Sequence, residues 1–400
     1  FISGDGLKDP SFIKIGGRLR QVPTRPPGFI TSDIIPFSAK MRFALEPFIG
    51  RKKSDDDESV ADFVQRRFGK RALTRMFDPL VSGVYAGDVE KLSINNTLSV
   101  FAELEEEYGS VVKGMFKRLK QRREEEKAQD PATKDELLTN SKNPMAGTLL
   151  SFINGMGELT ETLARNLDLS LKTETSVKRI EALDTGYSLL IERNGEEQRV
   201  EHDIVILTAP PVAAAGMVNG MNVELAETLA QIPSSSIAVI ALGYEADDLG
   251  SELDGFGYLI PRAEGIRPLG VLWSSSIFEH RANADQRLFT VMIGGAHDPE
   301  AVTLSDDELT ELAVGEIDST VGINGKPVMR RIMRHRNGIP QYVLGHRERL
   351  AIIDKHMKEL RHFHLAGNGY HGISTNDCVK HSYELVERIV AELKSGSSAQ

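Results

Sequence analysis

The stretch Leu365-Ala366-Gly367-Asn368-Gly369-Tyr370-His371-Gly372-Ile373-Ser374-Thr375-Asn376-Asp377 decides how this chain is read. A short apolar strand, residues 362–366, runs into it, and the pattern behind it predicts a helix over residues 377–393. Gly367 to Gly372 matches G-x-G-x-x-G letter for letter. In a dinucleotide fold that loop opens a helix, and a second strand then brings an acidic residue about 20 positions on. Here the helix takes up most of the sequence after Gly372, so the second strand does not fit. The loop is not the fingerprint that opens a Rossmann unit.

Its local physics stands without that fingerprint. Glycines let backbone N–H groups approach a ligand closely, and Ser374-Thr375-Asn376-Asp377 offers capping oxygens to the helix. A helix N-terminus is partly positive and stabilises an anion. A reduced flavin, with charge around its N1 and O2 atoms, is such an anion. A plain strand–turn–helix connection with no ligand fits the same residues.

Working outward, strands are expected over 237–242, 257–260, 270–273, 289–293 and 328–334, with a long helix over 306–321. Four consecutive β-formers, Ile204-Val205-Ile206-Leu207, suit a strand buried on both faces. Asn194-Gly195 predicts a hairpin turn; residues 149–167 and 223–232 read as helices, and 169–180 as strand-like. Near the start, Gly16-Gly17 separates a strand pair within 12–23. Residues 24–50 are Pro-rich at first and then helical in character, a charged loop follows over 51–58, and the helical period returns over 60–84 and 97–119. Val60, Phe63, Val64 and Phe68 mark one amphipathic face, and Pro79 is expected to end or kink a helix near Asp78. Residues 121–143 are polar and charged and read as a solvated linker.

Composition narrows the classes. The chain has 400 residues, 40% hydrophobic and 26% charged, which suits two or three globular domains. A net charge of −10 argues against a nucleic-acid binder. A single cysteine, Cys378, excludes an intrachain disulfide framework. No zinc or calcium spacing is present, so no metal is expected. The longest apolar stretch, residues 204–218, is split by Pro210-Pro211 and too short to span a bilayer as a helix. The chain opens at Phe1 in a Gly/Asp-rich stretch, and the expectation is that it is the interior of a longer protein.

Several strings carry a resemblance. They are Ser82-Gly83-Val84-Tyr85-Ala86-Gly87-Asp88 with Leu92-Ser93, and Gly255-Phe256-Gly257-Tyr258-Leu259. They continue with Leu269-Gly270-Val271-Leu272 leading to Phe278, Val291-Met292-Ile293-Gly294-Gly295, and Ile339-Pro340-Gln341-Tyr342-Val343-Leu344-Gly345-His346. With the closing Leu365 to Cys378 segment they resemble, in order and spacing, the protoporphyrinogen oxidase and oxygen-dependent coproporphyrinogen III oxidase family over nearly the whole chain.

That resemblance implies a FAD flavoprotein of the amine-oxidase type. It would take six electrons from a porphyrinogen in three two-electron steps, pass hydride to FAD, and give hydrogen peroxide from molecular oxygen. The implied fold is α/β and α+β: a doubly wound FAD-binding domain, incomplete at its N-terminus, with a mixed-sheet substrate domain and a helical lobe. The lobe would be residues 24–145, the substrate domain 1–23 and 220–360, and the FAD domain 146–219 and 361–395. Val177 matches the position meeting the adenine end of FAD. Asn368, Ile373, Ser374 and Thr375 match the flavin-contacting stretch, while Phe256, Gly257, Leu259 and Met292 match the substrate pocket. An apolar pocket suits a large, mostly apolar macrocycle. No catalytic side chain is implied beyond the flavin. The implied location is cytoplasmic, with peripheral contact to the inner face of the cell membrane as an option. Because the net charge is negative, such docking is expected to be hydrophobic, through apolar residues around 41–48.

The departures matter too. The family's N-terminal strand, glycine loop and helix for the pyrophosphate are absent, and Ser11 stands where some relatives carry an Arg for a substrate propionate. Coproporphyrinogen III therefore stays open as substrate beside protoporphyrinogen IX. So do a related amine or polyene oxidase and a truncated, non-catalytic chain. The cluster Arg330, Arg331, Arg334, His335 and Arg336 offers charges for propionates, but strand alternation turns about half outward and favours a solvated face. His346, His371, Tyr342 and Trp273 read as structural. Cys378, at a helix start, is either a thiol of lowered pKa or a small core residue, the latter favoured.

Overall fold

Gly16 and Gly17, both at positive φ, turn the chain between β1 (Ser11–Ile15) and β2 (Arg18–Gln21). The computed structural model describes residues 2–4, 10–23, 26–54, 56–128, 149–167 and 170–397. After the hairpin come α1 (Phe37–Leu45), α2 (Val60–Arg67), α3 (Asp78–Tyr85), α4 (Ser99–Tyr108) and α5 (Val111–Ala128). Then follow β3 (Thr175–Ala182), β4 (Tyr187–Arg193), β5 (Glu196–His202), β6 (Val205–Leu207), α6 (Pro211–Val218) and α7 (Val223–Ala230). Next are β7 (Ser234–Glu245), β8 (Gly257–Leu259), β9 (Pro268–Leu272), β10 (Gln286–Gly294), α8 (Asp306–Val321) and β11 (Met329–Pro340). The chain closes with α9 (His346–Glu359), β12 (Phe363–Leu365) and α10 (Thr375–Ser397).

Two compact units emerge. The first is Phe1–Leu163 with Ser235–Arg336; the second is Ala164–Ser234 with Asn337–Gln400.

In the first unit a seven-stranded mixed sheet runs in the order β11-β7-β10-β9-β8-β1-β2. Period-two alternation sorts its side chains. Tyr244, Tyr258, Val271, Phe289, Val291 and Ile293 turn to one face and form a dry core with Leu309, Ala313 and Ile317 of α8. Each such side chain contributes about 1.5–3 kcal/mol on burial. A buried ion pair pins the hairpin to this core: Lys14 Nζ lies 2.7 Å from Glu316 Oε1, and the Tyr258 hydroxyl donates to the same carboxylate at 3.0 Å. α8 itself is set by a capping box between Ser305 and Glu308.

The helices of this unit close around charge as well as oil. Arg67, fully buried, bonds Glu46 at 3.0 Å and also Glu105. The Glu46 carboxylate in turn accepts the Val111 N–H at 3.0 Å at the start of α5. Burial pushes the Glu105 carboxyl up, but hydrogen bonds from Arg66, Arg67 and the Lys52 N–H outweigh it and hold it down at about 2.

The second unit packs a three-stranded antiparallel sheet, order β3-β4-β5, and a parallel pair, β12 with β6, around a core of Val205, Leu207, Val218, Leu225, Leu229, Ile353 and Phe363. Asn194 and Gly195, both at positive φ, make the expected hairpin turn.

Pro79 leaves the helix distorted where expected: a π-helical turn, Leu73–Phe77, runs up to Asp78 just ahead of it, and the helix continues beyond. Three sequence expectations need correction. Residues 149–167 are not one helix: Leu149–Ser151 is a strand paired with Ile2–Gly4, and the helix runs Gly157–Leu167. Of the linker over 121–143, residues 121–128 continue α5, and the rest falls outside the described residues. In β6, Val205 and Leu207 are buried but Ile206 is 44% exposed, so the described residues cover one face of that strand.

Candidate functional site

The second face of the seven-stranded sheet is half-buried rather than sealed. Cross-strand register places Leu259 opposite Gly270, Gly270 opposite Met292, and Met292 opposite Val239. One step along, Gly257, Leu272, Thr290 and Ala241 form a second row. These residues have the parity opposite to the core set, so both rows lie on this face. These two rows are apolar but for one hydroxyl, Thr290, which pairs with the Ser274 hydroxyl at 2.8 Å.

Two glycines are needed for shape here. Gly257 sits at φ +123°, and a Cβ there would meet the Val271 oxygen at 2.1 Å. Gly83 lets α3 lie directly on the face, since a Cβ would come 2.3 Å from Leu259 Cδ2. The Tyr85-Ala86-Gly87-Asp88 string ends α3 with Ala86 in a left-handed conformation, and the Ala86 oxygen accepts the Ala296 N–H at 2.8 Å beyond β10. Beside it, Asp78 accepts the Arg262 N–H at 3.1 Å, and burial pushes its carboxyl up. Burial likewise pushes His297 down.

Of the expected substrate residues, Gly257, Leu259 and Met292 are brought together on this face. Phe256 lies just ahead of β8, held through its backbone by Pro10 at 3.0 Å and Trp273 at 3.1 Å. Leu272, Thr290, Val239 and Ala241 were missed. Strand parity read from Met292 could have found them.

In the second unit two quoted strings meet. The Tyr342 hydroxyl donates to the Asn368 carbonyl at 2.7 Å, and His346 Nε2 donates to the Tyr370 carbonyl at 3.1 Å. The Tyr342 and His346 rings stack at 4.3 Å. Gly369 passes so close to α6 that a Cβ would sit 2.3 Å from Pro211 Cγ. The glycine turn is thus clamped from both sides. Ser374 caps α10: its hydroxyl accepts the Asp377 N–H at 3.1 Å and donates to the Asp377 carboxylate at 2.6 Å. Asn368, Ile373, Ser374 and Thr375 therefore share one short loop and helix start. Val177 sits elsewhere in this unit, at a bulge in β3 opposite Ile191.

A cavity of about 930 Å³ opens beside the turn, lined by Gly367, Tyr370 and His371 and by faces of α9 and α10. Asn368, Ile373, Ser374, Thr375 and Val177 do not line it. Burial pushes the Cys378 thiol up, which removes the reading of it as a lowered-pKa thiol. Among the described residues no group of His, Cys, Asp and Glu could hold a metal ion, and no helix is long and apolar enough to cross a membrane.

The residues at the turn fit the ring end of a flavin. By position, the N–H groups of Thr375 and Asn376 have no intrahelical acceptor, and both residues are exposed beside the glycine turn. For a pyrophosphate the described residues offer no second glycine turn between a parallel strand and a helix, since β6 leads into α6 through Pro210-Pro211.

The glycine turn and capped helix suit a flavin-dependent oxidoreductase, and the comparison with known families shows that class. Residues 8–390 match the family model described as flavin containing amine oxidoreductase, and the chain belongs to that family. It is 28% identical over 372 residues to coproporphyrinogen III oxidase of Bacillus subtilis, covering 91% of this chain and 74% of the relative. It is also 28% identical over 412 residues to the chloroplastic protoporphyrinogen oxidase of Nicotiana tabacum, covering 97% and 73%. A crystal structure provisionally described as protoporphyrinogen oxidase from Exiguobacterium sp. 255-15 shares the fold, with a TM-score of 0.75 at 22% identity over 96% of this chain and 80% of that one.

Proposed function

We propose that this protein is a FAD-dependent porphyrinogen oxidase that takes six electrons from protoporphyrinogen IX or coproporphyrinogen III. The observation that carries the reading is the apolar row Leu259–Gly270–Met292–Val239 with Leu272 beside it. α3 covers the Leu259 end of these rows, so the apolar surface beside it, with Leu272, Met292 and Val239, is the part that meets a tetrapyrrole. When bound, FAD supplies the hydride acceptor, and molecular oxygen takes the electrons onward as hydrogen peroxide.

The chain's own work is binding and positioning. Phe256, Gly257, Leu259 and Met292 face the macrocycle. Asn368, Ile373, Ser374 and Thr375 hold the flavin ring, with Val177 toward the adenine end. The helical lobe takes residues 24–145, the substrate domain 1–23 and 220–360, and the flavin domain 146–219 and 361–395. No side-chain base is assigned, because the substrate's N–H protons can leave to water. Aromatic cage chemistry, as for an amine, gains no support from this face: Tyr258, Trp273 and Phe289 all turn into the opposite core.

We also propose peripheral membrane contact through the helical lobe. Phe37, Met41, Leu45 and Phe48, spaced as one stripe along α1 and the turn after it, are 75%, 44%, 51% and 82% exposed. Lys40, Arg42, Arg51, Lys52 and Lys53 flank them. Asp55, Asp56, Asp57 and Glu58 follow at once, so the contact rests mainly on the apolar stripe, as expected from the net charge.

The test is direct. FAD-loaded protein mixed with a colourless porphyrinogen should consume oxygen and develop porphyrin fluorescence. Folded, flavin-loaded protein that does neither would overturn the reading.

A further inference from the structure

β11 carries a run of basic residues, and alternation divides them between the two faces of the sheet. Ile332 packs into the α8 core. Arg330 reaches Asp307 at 2.8 Å, and Arg334 reaches Asp306 at 2.7 Å and the Leu304 carbonyl at 2.7 Å. These three lie on the α8 side. Arg331 and Met333 therefore lie on the other side, with Met292 and Leu272.

Contacts to β7 confirm that side and fix the level. The Val328 N–H donates to the Gly243 carbonyl at 2.8 Å, and a Cβ on Gly243 would come 3.2 Å from Met329 Cβ. Gly243 shares parity with Val239 and Ala241 on the half-buried face. Val328 on Gly243 and Gln341 on Pro233 set β11 antiparallel to β7, so Arg331, two residues beyond Met329, falls at the level of Ala241 and extends the row Gly257–Leu272–Thr290–Ala241. It lies two strands from Thr290, about 10 Å, and is exposed. Unlike Arg330 and Arg334, it has no ion pair or hydrogen bond among the described residues.

We propose that Arg331 is a specificity-determining residue that pairs with a carboxylate on the rim of the tetrapyrrole. The inference rests on the porphyrinogen reading above. An apolar macrocycle beside α3, over Leu272 and Met292, carries its acidic side chains at its edge, where an unpaired guanidinium at the end of the row meets one. A guanidinium binds a carboxylate in a two-pronged, charge-assisted geometry that a lysine does not reproduce. The two arginines on the α8 side, already tied to aspartates, cannot take this part.

The experiment titrates flavin-loaded protein with coproporphyrin III and with its tetramethyl ester, following porphyrin fluorescence. Arg331→Ala should weaken coproporphyrin III binding about tenfold, Arg331→Glu more, and Arg331→Lys less. Arg330→Ala should bind as wild type does, and the ester should not distinguish any of the proteins. The proposal is overturned if Arg331→Ala leaves coproporphyrin affinity unchanged, or if the ester loses as much as the acid. Wild-type protein that binds neither porphyrin would instead overturn the functional reading, and this proposal with it.

Discussion

The Tyr342 hydroxyl holds the carbonyl oxygen of Asn368 at 2.7 Å, tying the segment ahead of α9 to the glycine turn ahead of α10. A turn built on glycines has no side chains to fix its shape, so its geometry must come from outside. Tyr342 supplies one restraint and His346 another. Removing the hydroxyl in Tyr342→Phe should cost about 1 kcal/mol of stability and lower FAD affinity several-fold, while leaving porphyrin binding intact. Urea denaturation and flavin fluorescence titration check the two effects. Unchanged flavin affinity with reduced stability would make the contact purely structural.

Gly257 is the second point where backbone shape governs the site. Its φ of +123° suits glycine alone, and a Cβ would overlap the Val271 carbonyl. Gly257→Ala should therefore lose roughly 1–3 kcal/mol from the backbone conformation, with the overlap added. Gly265→Ala is the control, because Gly265 has φ +69° and nothing within 4 Å of a Cβ. Thermal melts should rank Gly257→Ala clearly below Gly265→Ala; equal melting would show that β8 yields to accommodate a side chain.

Much of this was legible in the sequence because it is local. The Gly16-Gly17 and Asn194-Gly195 turns and the capped start of α8 are each fixed by a few neighbouring residues. Leu149–Ser151 was misread because its partner, Ile2–Gly4, is far away in sequence, and helical periodicity cannot register a strand pairing at that distance. At the site, the glycine turn and β8 were readable as strings. Their clamps, Tyr342 and His346, looked like ordinary core aromatics until the tertiary contacts appeared. The arginine run on β11 announced alternation but not its phase, which Ile332 and the α8 aspartates decide.

Leu272 tests the apolar floor. Leu272→Glu places a carboxylate among Leu259, Thr290 and Met292, where it must be desolvated or must repel an acidic substrate. Flavin content should stay at wild-type level, and kcat/KM for the porphyrinogen should fall at least about tenfold. Steady-state fluorescence assays with flavin quantified by absorbance separate the two. Loss of flavin together with activity would mean that the substitution disturbs the fold rather than the substrate surface.

The helical lobe should be acid-labile for an identifiable reason. Glu105 is held at about 2, below its ordinary 4.5, by the arginines around it. A carboxyl lowered in the folded state stabilises fully above its unfolded value and loses that contribution as pH falls toward the folded one. That stabilisation should therefore be intact above about pH 4.5 and vanish on approach to pH 2. Circular dichroism of Glu105→Gln should show destabilisation at pH 7 and a flatter acid profile than wild type; identical profiles would sink the assignment.

The exposed stripe on α1 gives the last test. Phe37 and Phe48 together present more open aromatic surface than water-facing helices usually keep. The double substitution Phe37→Glu with Phe48→Glu removes the oily contact and places negative charge at the surface. Sedimentation with vesicles containing anionic lipid should then drop several-fold, while neutral vesicles bind either protein weakly. High salt should weaken wild-type binding only in part, because the apolar contribution is not screened. Binding that salt abolishes completely would assign the interaction to charge alone. Binding that survives the double substitution would place the contact elsewhere on the molecule.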